Sequence, residues 1–448
     1  MKAAHPYTRL EGAIPLVSLY FALAALYVWQ ASEHGVPTLF TDEIEMTQLS
    51  RSIADTGSPA RRGDPYEGMP SLVAYVLAPV WWLGSAATSY AAAKLLLVLA
   101  MTATIFPAYA LARMVVPRWY ALAAAGAAAA VPALAYAPVL VEEPLAYPLA
   151  TLSLWLIARA YVEPSRMRIA TAIVVTGTAM LTRTQLSILF AVFALGFLWL
   201  GWQSERAVAW RSTWSRWDWV GAVVLMVGVA VAFSAFVGHF SQSWRETTGF
   251  YRDRIVEHMS WAAGALAIGI GVLPLIAGIA ALARPRDEPR DPKTRAFVVT
   301  SVATIVVFLA YTGIKGAFIS TRFSTLVVER NLIYLCPILF AATALAIARG
   351  VGRTWAIAGA ALFTLWVVTA VPLRLGEYPY YEAHGLSMAA LANRELGWPE
   401  GRIEDALVVT FVLALALVLA LRLVRRGSTA FAAIAGAVGI GVLAWTLT

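Results

Sequence analysis

Apolar runs long enough to cross a membrane recur from one end of this chain to the other. A helix needs roughly 17–25 predominantly apolar residues to cross the hydrocarbon core of a bilayer, and the runs have that length. The 448 residues are 60% hydrophobic and 13% charged, whereas a soluble domain has about 25% charged residues. Because the alternating pattern of a transmembrane barrel is absent, the sequence predicts an all-α polytopic membrane protein.

These runs predict a bundle of about 11–13 transmembrane helices. The predicted spans lie near residues 13–30, 88–115, 119–138, 144–162, 168–182, 185–202, 218–238, 260–283, 296–313, 331–349, 354–373, 403–424 and 428–447. Residues 70–86 are apolar but short and contain Pro79, which indicates an interfacial or re-entrant segment. We therefore expect a single transmembrane domain over 1–448 without a separate soluble domain. Its main outer loops are predicted at 31–87, with interfacial helices, and at 374–402.

Lysine and arginine residues are concentrated in alternate short loops, such as residues 284–295 and 422–426. Short basic loops usually lie in the cytoplasm, so we predict a cytoplasmic N-terminus. The formal charge of +8 follows from these loops and does not indicate a nucleic-acid partner. This topology brings most of the candidate site residues to the outer face of a bacterial plasma membrane, where membrane lipids surround them.

Two adjacent acids, Asp42 and Glu43, open an amphipathic segment just after the first span. Negative charge is favoured in the first turn of a helix. An apolar stripe follows at Met46, Leu49 and Ile53, and this spacing predicts an interfacial helix over 42–55. The acids could serve only as helix caps, but a cap needs one acid rather than a pair. The pair is therefore a candidate for catalysis.

Further charged residues fall at the same predicted face. Glu142 and Glu143 precede Pro144 at the start of a span, so they either cap that helix or supply a second carboxylate to the site. Arg183 interrupts an apolar run, and a cation at that depth is expensive unless it has a function. The remaining candidate cations for binding a phosphate group are Arg330, Lys94, Arg61 and Arg62. Each of these also has an ordinary alternative, either an ion pair or a contact with lipid headgroups.

Aromatic rings can stack on sugar faces and arginine can bind phosphate. Candidate contacts of this kind are Tyr66, Tyr75, Trp244, Tyr251 and Arg252. The same mixture of residues is common at any membrane interface. His239, His258 and His384 have no paired spacing that would indicate a zinc site.

The order of these motifs resembles the GT-C glycosyltransferases, and among them the protein O-mannosyltransferases and the aminoarabinose transferase of lipid A. Asp42-Glu43 matches the acidic pair of the family's first loop, and Glu143-Pro144-Leu145-Ala146-Tyr147 matches a second acidic position. Leu181-Thr182-Arg183 is similar to a Leu-Thr-Lys segment, and Glu329-Arg330-Asn331 to a late Glu-Arg-Tyr segment. Met69-Pro70-Ser71-Leu72 departs from the family's Lys-Pro-Pro-Leu, because a methionine replaces the lysine.

This resemblance implies an inverting transfer of a sugar from a polyprenyl-phosphate donor to a glycan, lipid or protein hydroxyl acceptor. Asp42 would be the general base, and Glu43, Glu142 and Glu143 would support the acceptor, the sugar or a metal. Arg183 with one of Arg330, Arg61 or Lys94 would stabilise the leaving phosphate. The sequence requires no cofactor. It leaves open whether Glu43 and Glu143 bind a divalent metal.

Two other functions fit a polytopic chain. A transporter or a flippase for lipid-linked glycans would place charges near the bilayer midplane and often shows internal repeats, and no repeat is visible here. A polymerase or ligase of lipid-linked glycans would favour a larger mid-chain outer loop than residues 239–259 provide.

Overall fold

The protein is built almost entirely from α-helices, as the sequence predicts. A computed structural model describes residues 6–33, 40–67, 70–203, 205–221, 223–224, 251–283, 291–319, 327–350, 352–376, 382–424 and 429–447. Within these residues the only sheet is a hairpin of two short strands, β1 (Ala60–Arg61) and β2 (Asp64–Pro65). Arg62 and Gly63 form its turn with φ angles of 55° and 91°, which glycine adopts readily and arginine rarely.

Eighteen α-helices have both of their ends within the described residues, and several of them are joined by short turns. In chain order they are α1 (Pro6–Ser32), α2 (Phe40–Thr56), α3 (Leu72–Leu77), α4 (Ala86–Thr102), α5 (Ile105–Ala112), α6 (Arg118–Ala128), α7 (Glu143–Val162), α8 (Arg166–Thr182), α9 (Ile188–Trp202), α10 (Glu205–Arg211), α11 (Ile255–Gly269), α12 (Leu273–Leu282), α13 (Pro292–Ile319), α14 (Cys336–Arg349), α15 (Thr354–Ala370), α16 (Ser387–Arg394), α17 (Glu400–Leu423) and α18 (Thr429–Leu447). Short 3₁₀ turns join several of them, at Ala78–Leu83, Pro132–Tyr136, Thr184–Ser187, Arg252–Arg254, Glu329–Asn331, Ile333–Leu335 and His384–Leu386.

Six helical segments of the described chain are long and apolar enough to cross a membrane. They are Ala13–Ser32, Ala86–Ala112, Glu143–Val162, Thr184–Trp202, Pro292–Phe318 and Glu400–Leu423. The pair α11 and α12 would make a seventh span, with a bend of 109° between its two halves. Shorter apolar helices occupy Leu72–Leu83, Ile333–Arg349, Thr354–Ala370 and Thr429–Val442. The chain is therefore a multi-pass membrane protein.

Two of the predicted spans differ in the structure: one helix ends early and the other is bent. The run 119–138 is helical only to Ala128 and then passes into a 3₁₀ turn that begins at Pro132, because proline has no N–H to continue the helix. The run 260–283 breaks at Gly271 and Val272, whose φ angles are 83° and 64°. The predicted span 218–238 lies largely outside the described residues.

The first loop folds back onto the bundle and thereby fixes the start of α2. The predicted helix over 42–55 is present as α2, and Met46 and Leu49 of its apolar stripe are buried against Val73 and Leu77 of α3 and Leu97 of α4. The Nε1 of Trp81 donates a hydrogen bond to the Ser50 hydroxyl over 2.7 Å. The packing of this one face leaves the acidic first turn of α2 at the edge of the bundle.

Candidate active site

Two arginines from distant parts of the chain meet the acids of the predicted site. Arg183 follows the last residue of α8, and Arg330 lies in the 3₁₀ turn before α14. Both guanidinium groups are buried, and both contact the Glu143 carboxylate at the start of α7. Glu143 is fully buried, so the arginines neutralise a charge that could not remain there alone.

Arg330 contacts more partners than any other residue of this cluster. Its Nη2 donates to Glu143 Oε2 over 2.7 Å, and its Nη1 donates to Asp42 Oδ2 over 2.8 Å and to Glu382 Oε1 over 3.2 Å. The Arg330 Cζ lies 5.2 Å from the centroid of the Tyr136 ring. One buried guanidinium thus joins α2, α7 and the late loop at a single point.

Glu142 and Arg183 form the other side of the cluster. The Arg183 Nε lies 3.7 Å from Glu142 Oε2, and the Glu142 side chain is 35% exposed. Burial raises the pKa of Glu142, while the charges of Arg183 and Arg330 act in the opposite direction. In all, four carboxylates, from Asp42, Glu142, Glu143 and Glu382, face two guanidinium groups in this cluster.

The adjacent acids of α2 point in different directions, as expected for successive residues about 100° apart on a helix. The Asp42 side chain is 49% exposed and touches the cluster through Arg330. Glu43 is buried, and its Oε1 accepts hydrogen bonds of 3.1 Å from the Tyr90 hydroxyl and from the Leu140 N–H. Asp42 is therefore the acid of this pair that an incoming molecule can reach.

The late loop reaches the site through the segment 382–386. The Arg330 N–H donates to the Glu382 carbonyl over 2.9 Å, and the Gly385 N–H donates to Glu329 Oε2 over 2.7 Å. A Cβ on Gly385 would lie 2.2 Å from the Ala265 carbonyl oxygen, so only glycine allows this approach to α11.

Burial raises the pKa of Glu329 to about 7. Glu329 does not form the structural pair with Arg330 that the sequence left open.

Tyr136 and His384 pack beneath the arginine. Their rings meet edge to face with centroids 4.3 Å apart. Burial, and then the charge of Arg330, lower the pKa of His384 to about 4, so this imidazole is neutral near pH 7.

Several predicted site residues lie outside this cluster. Lys94 donates to the Ala31 carbonyl over 2.8 Å and so fastens α4 to the end of α1. Arg61 pairs with Glu45 over 3.3 Å at the surface, and Arg62 is exposed in the hairpin turn. Of the predicted aromatic contacts, Tyr66 is partly buried beside Glu45, Tyr75 and Tyr251 are exposed, and Arg252 is exposed beside Tyr251. Trp244 and Met69 lie outside the described residues.

The possible metal ligands of the sequence have other partners. Both Glu143 oxygens contact arginine, and Glu43 Oε1 accepts two hydrogen bonds. No group of three or more His, Cys, Asp or Glu side chains in the described part of the chain is arranged to hold a metal ion. These side chains do not fit a metal site.

Sequence reasoning missed three residues that line or adjoin the cluster. Glu382 lies in the predicted late loop and Tyr136 within the predicted span 119–138, and neither gave a signal. Lys315 interrupts the apolar helix α13, and a charged residue within a span is a candidate for function, so this signal was available. Lys315 Nζ donates to Gln185 Oε1 over 3.4 Å and to Asn331 Oδ1 over 3.2 Å.

An apolar cavity of about 560 Å³ lies apart from these charges. It is bounded by α11, α16, α17 and α18, and its lining includes Ile268, Met388, Leu391, Trp398, Leu407 and Trp445. None of its lining residues belongs to the charged cluster. It therefore does not adjoin Asp42.

A comparison with solved structures finds a protein with a similar fold. The chain is similar to ArnT from Cupriavidus metallidurans, in a crystal structure bound to undecaprenyl phosphate, with a TM-score of 0.51 and 16% identity. The match covers 96% of this chain and 76% of that one. The two proteins therefore share their overall fold. No protein-family model matches the chain, and no curated protein matches it.

Proposed function

We propose that this protein is a GT-C glycosyltransferase that moves a sugar from a polyprenyl-phosphate donor to an acceptor hydroxyl. The fold is that of a protein crystallised with undecaprenyl phosphate, which supports a polyprenyl-phosphate lipid as the donor's carrier. The observation that carries the proposal is the half-exposed Asp42 carboxylate, which the buried Arg330 holds in place at the edge of the cluster.

The reaction is a single displacement with inversion at the anomeric carbon. Asp42 accepts the proton of the acceptor hydroxyl while the acceptor oxygen bonds to the anomeric carbon. The bond from that carbon to the phosphate oxygen breaks, and the lipid phosphate leaves with the electron pair. Arg330 keeps the Asp42 carboxylate oriented, since its Nη1 donates to Oδ2 over 2.8 Å. Geometry near the transferred proton governs the efficiency of a general base.

The other acids of the cluster are less suited to this role. Glu143 is fully buried between two guanidinium groups, and Glu43 is buried and accepts hydrogen bonds from the Tyr90 hydroxyl and the Leu140 N–H. Glu142 is partly exposed and has a raised pKa, so it is the second choice for the base. We assign the site to the outer face of the membrane, because the basic loops are at the other ends of the spans.

The first experiment is a transfer assay with purified protein and a panel of polyprenyl-phosphate sugars. Asp42→Asn keeps the shape of the side chain and removes its basicity, so we expect turnover to fall roughly 10²- to 10⁴-fold. Donor affinity should be retained. Asp55→Asn is the matched control, because it makes the same change at an exposed position of the same helix, and its turnover should equal that of the parent.

Near-parental turnover of Asp42→Asn would refute Asp42 as the base, and the same assay on Glu142→Gln and Glu143→Gln would then identify the acid responsible. Donor binding with no product for any sugar, together with movement of the intact lipid across proteoliposomes, would instead favour the flippase alternative. Each reaction should contain the panel of sugars together with several hydroxyl acceptors. The absence of product then indicates the absence of transfer and not the lack of a suitable acceptor.

A further inference from the structure

The feature that carries a further inference is a group of three side chains beside the arginine cluster: Lys315 of α13, Gln185 of the 3₁₀ turn after Arg183, and Asn331 next to Arg330. We call it the Lys315 triad. Gln185 and Asn331 are 5% and 1% exposed. The Lys315 ammonium lies within the field of Arg183, Arg330, Glu382 and Glu142, so the triad belongs to the same polar site as Asp42.

The hydrogen bonds within the triad fix the direction in which each amide points. Lys315 Nζ donates to the side-chain oxygen of both amides. This orientation turns the Gln185 Nε2 and Asn331 Nδ2 groups away from the lysine, and neither nitrogen has a hydrogen-bond partner among the described residues. A buried donor without a partner costs roughly 1–3 kcal/mol, so two of them in one place require an explanation.

Among the residues that the structure describes, the groups of the triad that remain without a hydrogen-bond partner are all N–H donors. Each amide nitrogen has N–H donors to offer, and an ammonium has three donors and no acceptor, of which Lys315 uses two for the amide oxygens. Within the described part of the chain, Lys315 makes no ion pair with a carboxylate, in contrast to Arg183 and Arg330. A molecule that completes the triad must therefore supply acceptors only, and a negative charge suits the lysine.

We propose that the Lys315 triad, rather than Arg330, binds the phosphate of the lipid-linked donor. This inference rests on the proposed function and deepens it, because it names the residues that hold the leaving group. A phosphate monoester or diester offers several acceptor oxygens and negative charge, which is what the triad lacks. Arg330 already donates to three carboxylates, those of Asp42, Glu143 and Glu382, so it serves to position carboxylates.

The test measures the affinity of the purified full chain for undecaprenyl phosphate and for uncharged undecaprenol in the same detergent. The variant Lys315→Met removes the charge and keeps the length of the side chain. We expect it to weaken the binding of undecaprenyl phosphate roughly 10- to 100-fold, as for the loss of a hydrogen bond to a charged group. Binding of undecaprenol should not change. Lys293→Met, an exposed lysine at the opposite end of the same helix, is the control and should bind both lipids like the parent.

Gln185→Glu provides an independent arm, because it is nearly isosteric and replaces a donor with a negative charge. It should weaken undecaprenyl phosphate binding and leave undecaprenol binding unchanged. Parental affinity of either Lys315→Met or Gln185→Glu for undecaprenyl phosphate would overturn the proposal. If Lys315→Met does not fold, as a lowered melting temperature and loss of both lipids would show, Gln185→Glu alone decides the question.

Two further arms separate the sources of phosphate and the two proposals. If inorganic phosphate competes as well as undecaprenyl phosphate at equal concentration, the triad binds free phosphate and the assignment to a lipid is wrong. If Asp42→Asn keeps its turnover while Lys315→Met loses phosphate-lipid binding, the base is wrongly assigned but the triad is supported. A parent protein that does not distinguish undecaprenyl phosphate from undecaprenol refutes both proposals.

Discussion

The two acidic pairs of the chain, Asp42-Glu43 and Glu142-Glu143, are built alike but are neutralised by different means. Each pair stands at the start of a helix, with its first acid partly exposed and its second acid buried. The buried acid of the first pair, Glu43, accepts hydrogen bonds from a tyrosine hydroxyl and a backbone N–H. The buried acid of the second pair, Glu143, contacts two arginines.

This difference separates a structural acid from one that organises the site. The Tyr90 and Leu140 donors of Glu43 hold α2 against α4 and against the segment that precedes α7. The charged donors of Glu143 are themselves joined to Asp42, Glu142 and Glu382, so Glu143 is the common counter-ion of the cluster. The charge of Lys94 also acts on Glu43, but two buried guanidinium groups contact Glu143 directly, so an amide should be tolerated better at position 43 than at position 143.

The largest expected effect therefore comes from Glu143→Gln. Glu143 is the fully buried acid that both arginines contact, and breaking a buried ion pair usually costs about 3–5 kcal/mol. We expect this loss in the free energy of unfolding, measured by denaturant titration in detergent micelles. Donor binding should be lost in parallel, because both arginines would move. A loss no greater than that of Glu43→Gln would show that the arginine contacts do not stabilise the fold.

An intermediate effect is expected from Glu329, a third buried acid whose partner is a backbone N–H. Its pKa is raised to about 7 in the folded protein, so the folded state holds a proton that the unfolded state has already released. The contribution of Glu329 to stability is therefore greatest below the unfolded pKa near 4.5 and is lost as the pH rises through 7.

Between pH 6 and pH 8 this titration should lower the free energy of unfolding by about 1–2 kcal/mol. Glu329→Gln cannot titrate, and its amide oxygen can still accept from the Gly385 N–H. Melting curves of parent and variant at both pH values provide the measurement. Equal pH dependence of the two proteins would contradict the raised pKa.

The smallest effect should come from Glu43→Gln. One oxygen of Glu43 accepts both hydrogen bonds, and glutamine keeps such an oxygen, so we expect a loss of roughly 1 kcal/mol in the free energy of unfolding. Glu43→Ala is the companion variant, because it deprives both donors of their acceptor and should cost more. A Glu43→Gln variant as unstable as Glu143→Gln would remove the distinction between the two pairs.

The sequence predicted the helical membrane fold and the amphipathic α2 because both depend on local patterns. Helix geometry explains why Asp42 and Glu43 point in different directions. It could not predict that Arg330 would pair with Glu143, which is 187 residues away, since no local rule governs that contact. The depth of Arg183 in an apolar run indicated a function but not its partner.

Other site residues could not be predicted because their roles depend on packing. Glu382 reaches Arg330 only because Gly385 allows its loop to approach α11 closely, and a loop acid alone carries no such information. Lys94 was predicted to bind phosphate because of its place in a span, but the carbonyl of Ala31 receives its hydrogen bond. Two predicted spans, 119–138 and 260–283, are interrupted where a proline or left-handed residues end a helix.

The shared counter-ion Glu143 also bears on how the protein is made. Asp42 and Arg330 are separated by 288 residues, so most of the chain has been synthesised before the first loop can meet its arginine. Arg183, by contrast, directly follows α8, which pairs with α7 as a helical hairpin, so Arg183 lies at the same end of that hairpin as Glu143. Glu143 therefore gains a cationic partner as soon as that hairpin has entered the membrane. The early arginine shields the buried acid during biogenesis, and the late one completes the assembly.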